Sequence, residues 1–340
     1  MEAPAPFSFA PLEPLHPERR VILIFVDGLG LGDKTAASNP LRDHHLRLLA
    51  NHLPKGWAPP HEEGGRLKTL PPVVRSKESY PDETIMACDA SLGLTGLPQS
   101  ATGQTAMMTG VNPALVLGHH VTGFPSPTLK RLLMEHSVFL KLKKKGIPCV
   151  FMNAFTPRFF QEPKKIWKMG RLGSLSWAYR ASGLPFLSFE DLRNERAVLF
   201  DLAQDSAFAR SHELPRITPE KTGQNLVQGS RPYKLAVFEY FETDKAGHRR
   251  DLAYAVHVLR KLERFLEAVR IQAAKEPSCT VIITSDHGNI EDLSTKSHTH
   301  NPIPCIILGD QSEYFRSRLG RLEYMTPALL GYLASPAEKP

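Results

Sequence analysis

Four short apolar runs punctuate this 340-residue chain, and each gives way to a turn of polar residues. They are VILIFVDGLG from Val21, LAVFEYFETD from Leu235, TVIITSDHGN from Thr280 and IPCIILGD from Ile303. Runs such as VILIFV and TVIIT show no apolar–polar alternation, which suits strands covered on both faces, as in a parallel sheet. Between the second and third runs, Leu252, Val256, Leu259, Leu262, Leu266 and Val269 form an apolar stripe at helical spacing, with Arg and Lys opposite. Strand, helix, strand in that order predicts right-handed βαβ units and an α/β fold, a mostly parallel sheet sandwiched by helices. Ligands gather at the carboxyl ends of the strands in such sheets. Asp27, Asp244 and Asp286 each follow an apolar run within a few positions.

The middle of the chain has a different texture. Residues 118–231 contain two candidate strands, in IPCVFMNAF and AVLFDL, among many Pro and Gly breaks. This stretch is expected to form a smaller α+β cap inserted into a discontinuous core of residues 19–117 and 232–335. The Pro/Gly-rich stretch 53–82 is expected to be a long loop. The proline-bearing segment 1–18 reads as a flexible leader on a cytoplasmic protein, because it lacks the apolar core of a signal peptide. No run is long and apolar enough to span a bilayer, so no membrane association is expected. Cys88, Cys149, Cys279 and Cys305 are scattered and form no CxxC pair, which fits reduced thiols.

Charge adds one feature. The formal net charge is +7, and residues 121–180 hold twelve Lys or Arg against two Glu and no Asp. Such a segment is either an anion-facing surface or a solvated face. KLKKKG, from Lys141 to Gly146, suits a helix C-terminus whose lysines meet the negative end of the dipole. Zinc-finger spacing and RNA-binding aromatic strand motifs are both missing, so no nucleic-acid partner is expected.

The chemistry concentrates at a few turns. In PQSATGQTA, Ser100, Thr102 and Gly103 lead into an apolar, helix-like stretch. This is either a Gly-rich connector capped by hydroxyls or a turn that offers backbone N–H groups and a nucleophilic oxygen to a phosphate. Asp27, the pair Asp244 and His248, the pair Asp286 and His287, and the histidines of SHTHNPIP are donors suited to a divalent metal. Each alone could be a helix N-cap or a surface residue. Their shared position at strand ends along one edge of one sheet favours a metal centre, and a metal beside Ser100 would activate its hydroxyl.

With these motifs in view, the chain resembles the alkaline-phosphatase-like metalloenzyme superfamily, in the branch of cofactor-independent phosphoglycerate mutase and phosphopentomutase. VDGLGLG resembles that branch's opening metal-site strand, DHGNIED its DHGN segment, and GHRRDLAYAV the phosphopentomutase sequence. In HTHNPIP, the spacing to Pro304 singles out His298 over His300. The resemblance implies two divalent ions, Mn²⁺ with Zn²⁺ or Mg²⁺ as alternatives. It assigns Asp27, Ser100, Asp286 and His287 to one ion and Asp244, His248 and His298 to the other, with Ser100 as nucleophile. It also implies a small phosphorylated substrate and a phosphoserine intermediate, with phosphatase or phosphomutase outcomes. A phosphodiesterase or a non-catalytic metal-binding scaffold are the alternatives. SATGQ lacks the Pro and Arg of a sulfatase motif, and Gly103-Gln104 stands where related mutases have Gly-His. In the expected cap, Arg158, Arg171 and Arg180 are candidates to grip the substrate's anionic part, and His120 to touch it. The oligomeric state is left open.

Overall fold

The structure, a computed structural model, describes residues 19–50, 62–63, 66–67, 83–169, 172–276, 278–309 and 312–334. The proposed leader 1–18 and most of the stretch 53–82 lie outside the described residues. Six strands form the central sheet: β1 (Arg20–Val26), β2 (Glu83–Cys88), β3 (Cys149–Phe151), β4 (Leu235–Tyr240), β5 (Cys279–Thr284) and β6 (Ile303–Leu308), in the order β2-β6-β5-β1-β4-β3. β6 runs against the other five, pairing antiparallel with both β5 and β2, while β1, β3, β4 and β5 are mutually parallel.

The apolar run of β1 explains its central place. Val21, Leu23 and Phe25 enter the core on one face of the sheet, and Ile22, Ile24 and Val26 enter the core on the other. On the first face pack α1 (Ser100–Thr109), α2 (Pro127–His136), α3 (Val138–Lys144) and α4 (Ser174–Ser182). On the second lie α5 (Pro219–Gly229) and α7 (Leu252–Ala273), with the short α6 (Glu242–Arg249) leading into α7. The fold is therefore the expected α/β sandwich. In α7 the buried stripe runs through Val258, Leu259, Leu262, Phe265, Leu266 and Val269, whereas Leu252 is exposed on its first turn. Cys88, Cys149, Cys279 and Cys305 are all free and buried.

Three expectations change. The run IPCIIL forms β6, but its direction puts its amino end, not the GD turn after it, at the edge where the other apolar runs terminate. AVLFDL makes only a single bridge, Val198 to Asn153, and no strand. The segment 118–231 is also not set apart from the core: CVF within it is the edge strand β3, in register with Leu235 to Val237, and α2, α3 and α4 cover one face of the core sheet. A three-residue run buried on every side needs partners at once, and β4 supplies them. What the segment keeps to itself is a small cluster around Phe189, Leu192, Leu199 and Leu214. The lysines of KLKKKG do sit at a helix C-terminus. Lys141 donates to the Thr109 carbonyl at the end of α1 (2.9 Å), and Lys143 to Ser182 at the end of α4 (2.6 Å). Among the described residues, no helix is long and apolar enough to cross a membrane.

Candidate active site

Strand register brings the motif turns to one edge. Val26 lies opposite Tyr240, and Phe25 opposite Thr284, so the residues after β1, β4 and β5 leave the sheet side by side. Those residues are Asp27, the start of α6 with Asp244 and His248, and Ser285-Asp286-His287. Because β6 is reversed, the loop carrying His298 enters the sheet at the same edge. Cys88, at the carboxyl end of β2, pairs with Ile303 there, so the loop into α1 also starts at this edge. Five chain segments thus converge on one spot.

At its deepest point, the Ser100 hydroxyl lies 2.9 Å from Nε2 of His287. The same nitrogen is 3.3 Å from an Asp27 oxygen and 3.6 Å from an Asp286 oxygen, and neither the His287 nor the Asp286 side chain has any exposure. Ser100 is the first residue of α1, and the residue before it, Gln99, makes no side-chain cap. No N-cap side chain therefore takes up the first N–H groups of this ten-residue helix, which suits them to meet an anion. Gly103, one turn in, lies where a Cβ would come within 2.9 Å of the Asp286 carbonyl, so only glycine lets α1 approach this closely.

Burial pushes the Asp27 carboxyl well above the usual range, with the charges of Asp244 and Glu239 adding to it; burial followed by Asp27 does the same to Asp286. One Asp27 oxygen is buried without a hydrogen-bond partner. Two adjacent buried carboxylates and an imidazole with an unfilled acceptor beside them are the surroundings a divalent cation would balance. Oxygen and nitrogen donors without sulfur suit Mn²⁺, Zn²⁺ or a similar ion.

The second group is nearer the surface. His248 Nε2 is 3.4 Å from one Asp244 oxygen, four residues earlier on α6, and His298 Nε2 is 3.7 Å from the other. His298 stacks on His287 at 3.7 Å between ring centres, and its Nδ1 faces the Pro98 carbonyl at 2.9 Å. His248 is held through its Nδ1 by the Lys296 carbonyl at 2.9 Å. A carbonyl on Nδ1 makes that nitrogen the N–H and leaves Nε2 as the free donor for a metal in both rings. Burial, then His287, push His298 down to about 4, so it is neutral at neutral pH. His300 is exposed, away from these donors. Oxygens and nitrogens of Asp244, His248 and His298 form one compact donor set, and those of Asp27, Asp244 and His287 another, so Asp244 borders both groups.

Residues to which the sequence assigned no part in the site hold this arrangement in place. Gln104 donates its amide to Asp286 (3.0 Å) and Asp27 (3.3 Å), tying the two deep carboxylates together. Asn289 donates to an Asp244 oxygen at 2.6 Å. The buried Glu291 accepts from the backbone of Gly30 and Asn289 and from the Thr299 hydroxyl, binding the loop after β1 to the connection between β5 and β6. Gly28 adopts a positive φ of 71°, and a side chain there would meet Asp244 at 2.9 Å. The only trace of these roles in the sequence is their position inside DGLG, TGQ and DHGNIED.

Asp27, Ser100 and Asp244 also line a cavity of about 590 Å³ that reaches Asn153, Phe155, Phe159, Gly173, Phe200 and Phe208. Two of the arginines expected to reach it, Arg158 and Arg180, do not line it. Arg158 is an exposed residue paired with Glu162 one helical turn on (3.1 Å). The Arg180 guanidinium lies over the Trp167 and Trp177 rings, 4.2 and 5.1 Å from their centres, where the indoles engage it. Arg171 lies outside the described residues. His120 packs behind α1 rather than in the cavity, with Nδ1 3.4 Å from the Thr102 hydroxyl, and burial lowers its pKa.

Comparison with known proteins agrees with the resemblance read from the motifs. Residues 217–335 match the family model described as the Metalloenzyme superfamily. That span holds Asp244, His248, Asp286, His287 and His298, and the fold supplies Asp27 and Ser100 from outside it. The chain is 31% identical over 130 residues to a 2,3-bisphosphoglycerate-independent phosphoglycerate mutase of Cereibacter sphaeroides, across 36% of this chain and 25% of the relative. It spans about a quarter of the length of the curated relatives it matches. Among solved structures, the PH0037 protein of Pyrococcus horikoshii superposes with a TM-score of 0.50 at 12% identity, over 95% of this chain and 98% of that one, a likeness of fold. An alkaline phosphatase from the Antarctic bacterium TAB5 superposes with a TM-score of 0.46 at 14% identity, over 95% of this chain and 100% of that one.

Proposed function

We propose that this chain, whose residues 217–335 are of the metalloenzyme superfamily, transfers phosphoryl groups from small phosphate monoesters, with Ser100 as nucleophile and two divalent cations as cofactors. The observation that carries the reading is the placement of Ser100: a hydroxyl on the first turn of an uncapped helix, in contact with His287 and beside two buried carboxylates that call for a cation. Asp27, Ser100, Asp286 and His287 would hold one ion, and Asp244, His248 and His298 the other. When bound, such ions lower the pKa of a hydroxyl and balance charge on phosphate oxygens.

The residues of the chain then divide the work. The first N–H groups of α1 receive the phosphate and fix it against Ser100. Ser100 Oγ attacks phosphorus in line, forming the Ser–O–P bond as the P–O bond to the ester oxygen breaks. Ser100 gives up its hydroxyl proton to solvent as it attacks, and the ester oxygen leaves with the bonding pair and takes a proton from solvent in return. Gln104 holds the two deep carboxylates while charge shifts around them. Water then attacks the phosphoserine and releases inorganic phosphate, the phosphatase outcome; return of the phosphoryl group to a second hydroxyl of the product would make the chain a mutase. The cavity, with Lys245 the single cation among its described lining residues to retain a released product, favours hydrolysis.

The test is chelation followed by elemental analysis and re-addition of Mn²⁺, Zn²⁺ or Mg²⁺. Close to two ions per chain, loss of ester turnover on chelation and recovery on re-addition are expected. Unchanged turnover in a metal-free protein contradicts the proposal.

A further inference from the structure

The cavity beside Ser100 has walls that the reaction itself does not require. Phe155 and Phe159 line it as one group, 4.4 Å apart, in ring contact with Phe186 and Trp167. Phe200 belongs to a second group, stacked on Phe241 at 4.9 Å with 24° between planes and 5.3 Å from Phe208. Both groups line the same cavity, and among the described residues no ring contact joins them. Phe124, 52% exposed, stands on the lining as well.

The polar groups of the lining are mostly engaged elsewhere. Asn153 uses its amide on both backbone groups of Glu239, donating to the carbonyl at 2.8 Å and accepting from the N–H at 2.9 Å. The Thr156 hydroxyl caps the helix that follows it. Among the described lining residues the single cation is Lys245, which already pairs with Glu242 at 2.7 Å and lies over the Phe241 ring. Asp27, Glu239 and Asp244 are acids. A sugar or glycerate ester group would lose water from its hydroxyls or carboxylate here and find few partners, an unfavourable exchange. A flat apolar group would find aromatic rings of both groups on the cavity lining.

We propose that the preferred substrate is a phosphate monoester whose ester group carries an aromatic ring, seated between the Phe155/Phe159 and Phe200/Phe241 walls with its phosphate at Ser100. This deepens the phosphoryl-transfer reading and rests on it for the reaction. The ring supplies binding energy away from the reacting phosphorus, and that energy fixes the ester for attack.

The test compares benzyl phosphate with glycerol phosphate on the metal-loaded full chain. Both esters leave as alkoxides, so the ratio of their kcat/KM values reports binding rather than leaving-group reactivity. A preference of about 100-fold for the benzyl ester is expected. Phe200→Ala and Phe124→Ala should each cut that preference several-fold, and the exposed Phe124 keeps the test valid if the Phe200 variant fails to fold. Binding of both esters to metal-loaded Ser100→Ala, measured by calorimetry, should show the same order. An equal or reversed preference, or a preference that neither phenylalanine variant alters, overturns the aromatic assignment while leaving phosphoryl transfer standing. A retained binding preference without turnover of either ester supports the aromatic cavity and overturns the reaction. Absence of both binding and turnover overturns both.

Discussion

The two donor groups at the sheet edge are built from the same residue types but in opposite settings. Around Ser100, the side chains of Asp286 and His287 have no exposure, and Gln104 bridges the carboxylates from the core side. Around Asp244, the His248 side chain is 45% exposed, and its position depends on the Lys296 carbonyl. The deep group is fixed by strands and by a buried helix; the shallow one is carried by the short α6 and a loop. A cation in the deep group offsets charge that has no other compensation, whereas one in the shallow group competes with water. The deep group is therefore expected to hold its ion tightly and to be indispensable, and the shallow group to exchange its ion and tolerate change.

Substitution separates the two most strongly. His287→Ala or Asp286→Asn should empty the deep group and lower turnover roughly 10⁴-fold, read by kcat and by elemental analysis. His248→Ala should leave about one ion per chain and cost turnover roughly 10²-fold, with part of the loss recovered in excess metal. Equal losses, or a deep-group variant that metal rescues, would erase the distinction.

How much of this was legible in the sequence follows from how local each feature is. Asp27, Asp244, His248, Asp286, His287 and His298 sit in short strand–turn segments whose spacing carries their chemistry, so they could be gathered before any coordinates. The sandwich was legible for the same reason, because VILIFV in β1 is an unbroken apolar run and β5, like β1, is buried at every position. The direction of β6 was not, since an apolar run buried on both faces reads the same either way. The strand ETIMAC at 83–88 passed unremarked, beginning with polar Glu83 and Thr84 directly after the Pro-rich stretch. Gln104, Asn289 and Glu291 act through partners distant in sequence, and a lone amide or carboxylate carries no mark of that. Arg158 and Arg180 show the converse. Basic residues near a site are legible, but the Glu162 and tryptophan contacts that occupy them come from local helix geometry and tertiary packing.

The smaller effect is in the pH dependence of stability once metal is removed. Burial raises Asp27, Asp286 and Glu239, the last to about 7. A carboxyl raised on folding favours the native state at low pH, and this contribution is lost as pH rises through its folded value. His298, pushed down to about 4, works the other way: its contribution is present above the ordinary histidine value and is lost as pH falls toward 4. The melting temperature of chelated protein should thus fall from about pH 5 to about pH 8. Asp27→Asn should flatten that fall, whereas His298→Ala should remove a loss on the acidic side. Saturating metal should suppress the alkaline fall, because the bound cation replaces the proton. A metal-free melting curve that rises steadily to pH 8 would contradict the burial of uncompensated acids in the deep group.

The most direct test is the covalent step at Ser100. Protein loaded with metal and turning over a phosphate monoester would be quenched in acid, digested, and the peptide spanning the start of α1 sequenced by mass spectrometry. The account requires one phosphate on Ser100 during turnover, and none in Ser100→Ala or in chelated protein. Turnover with Ser100 unmodified at every quench time, or with the phosphate on Thr102 instead, would contradict it.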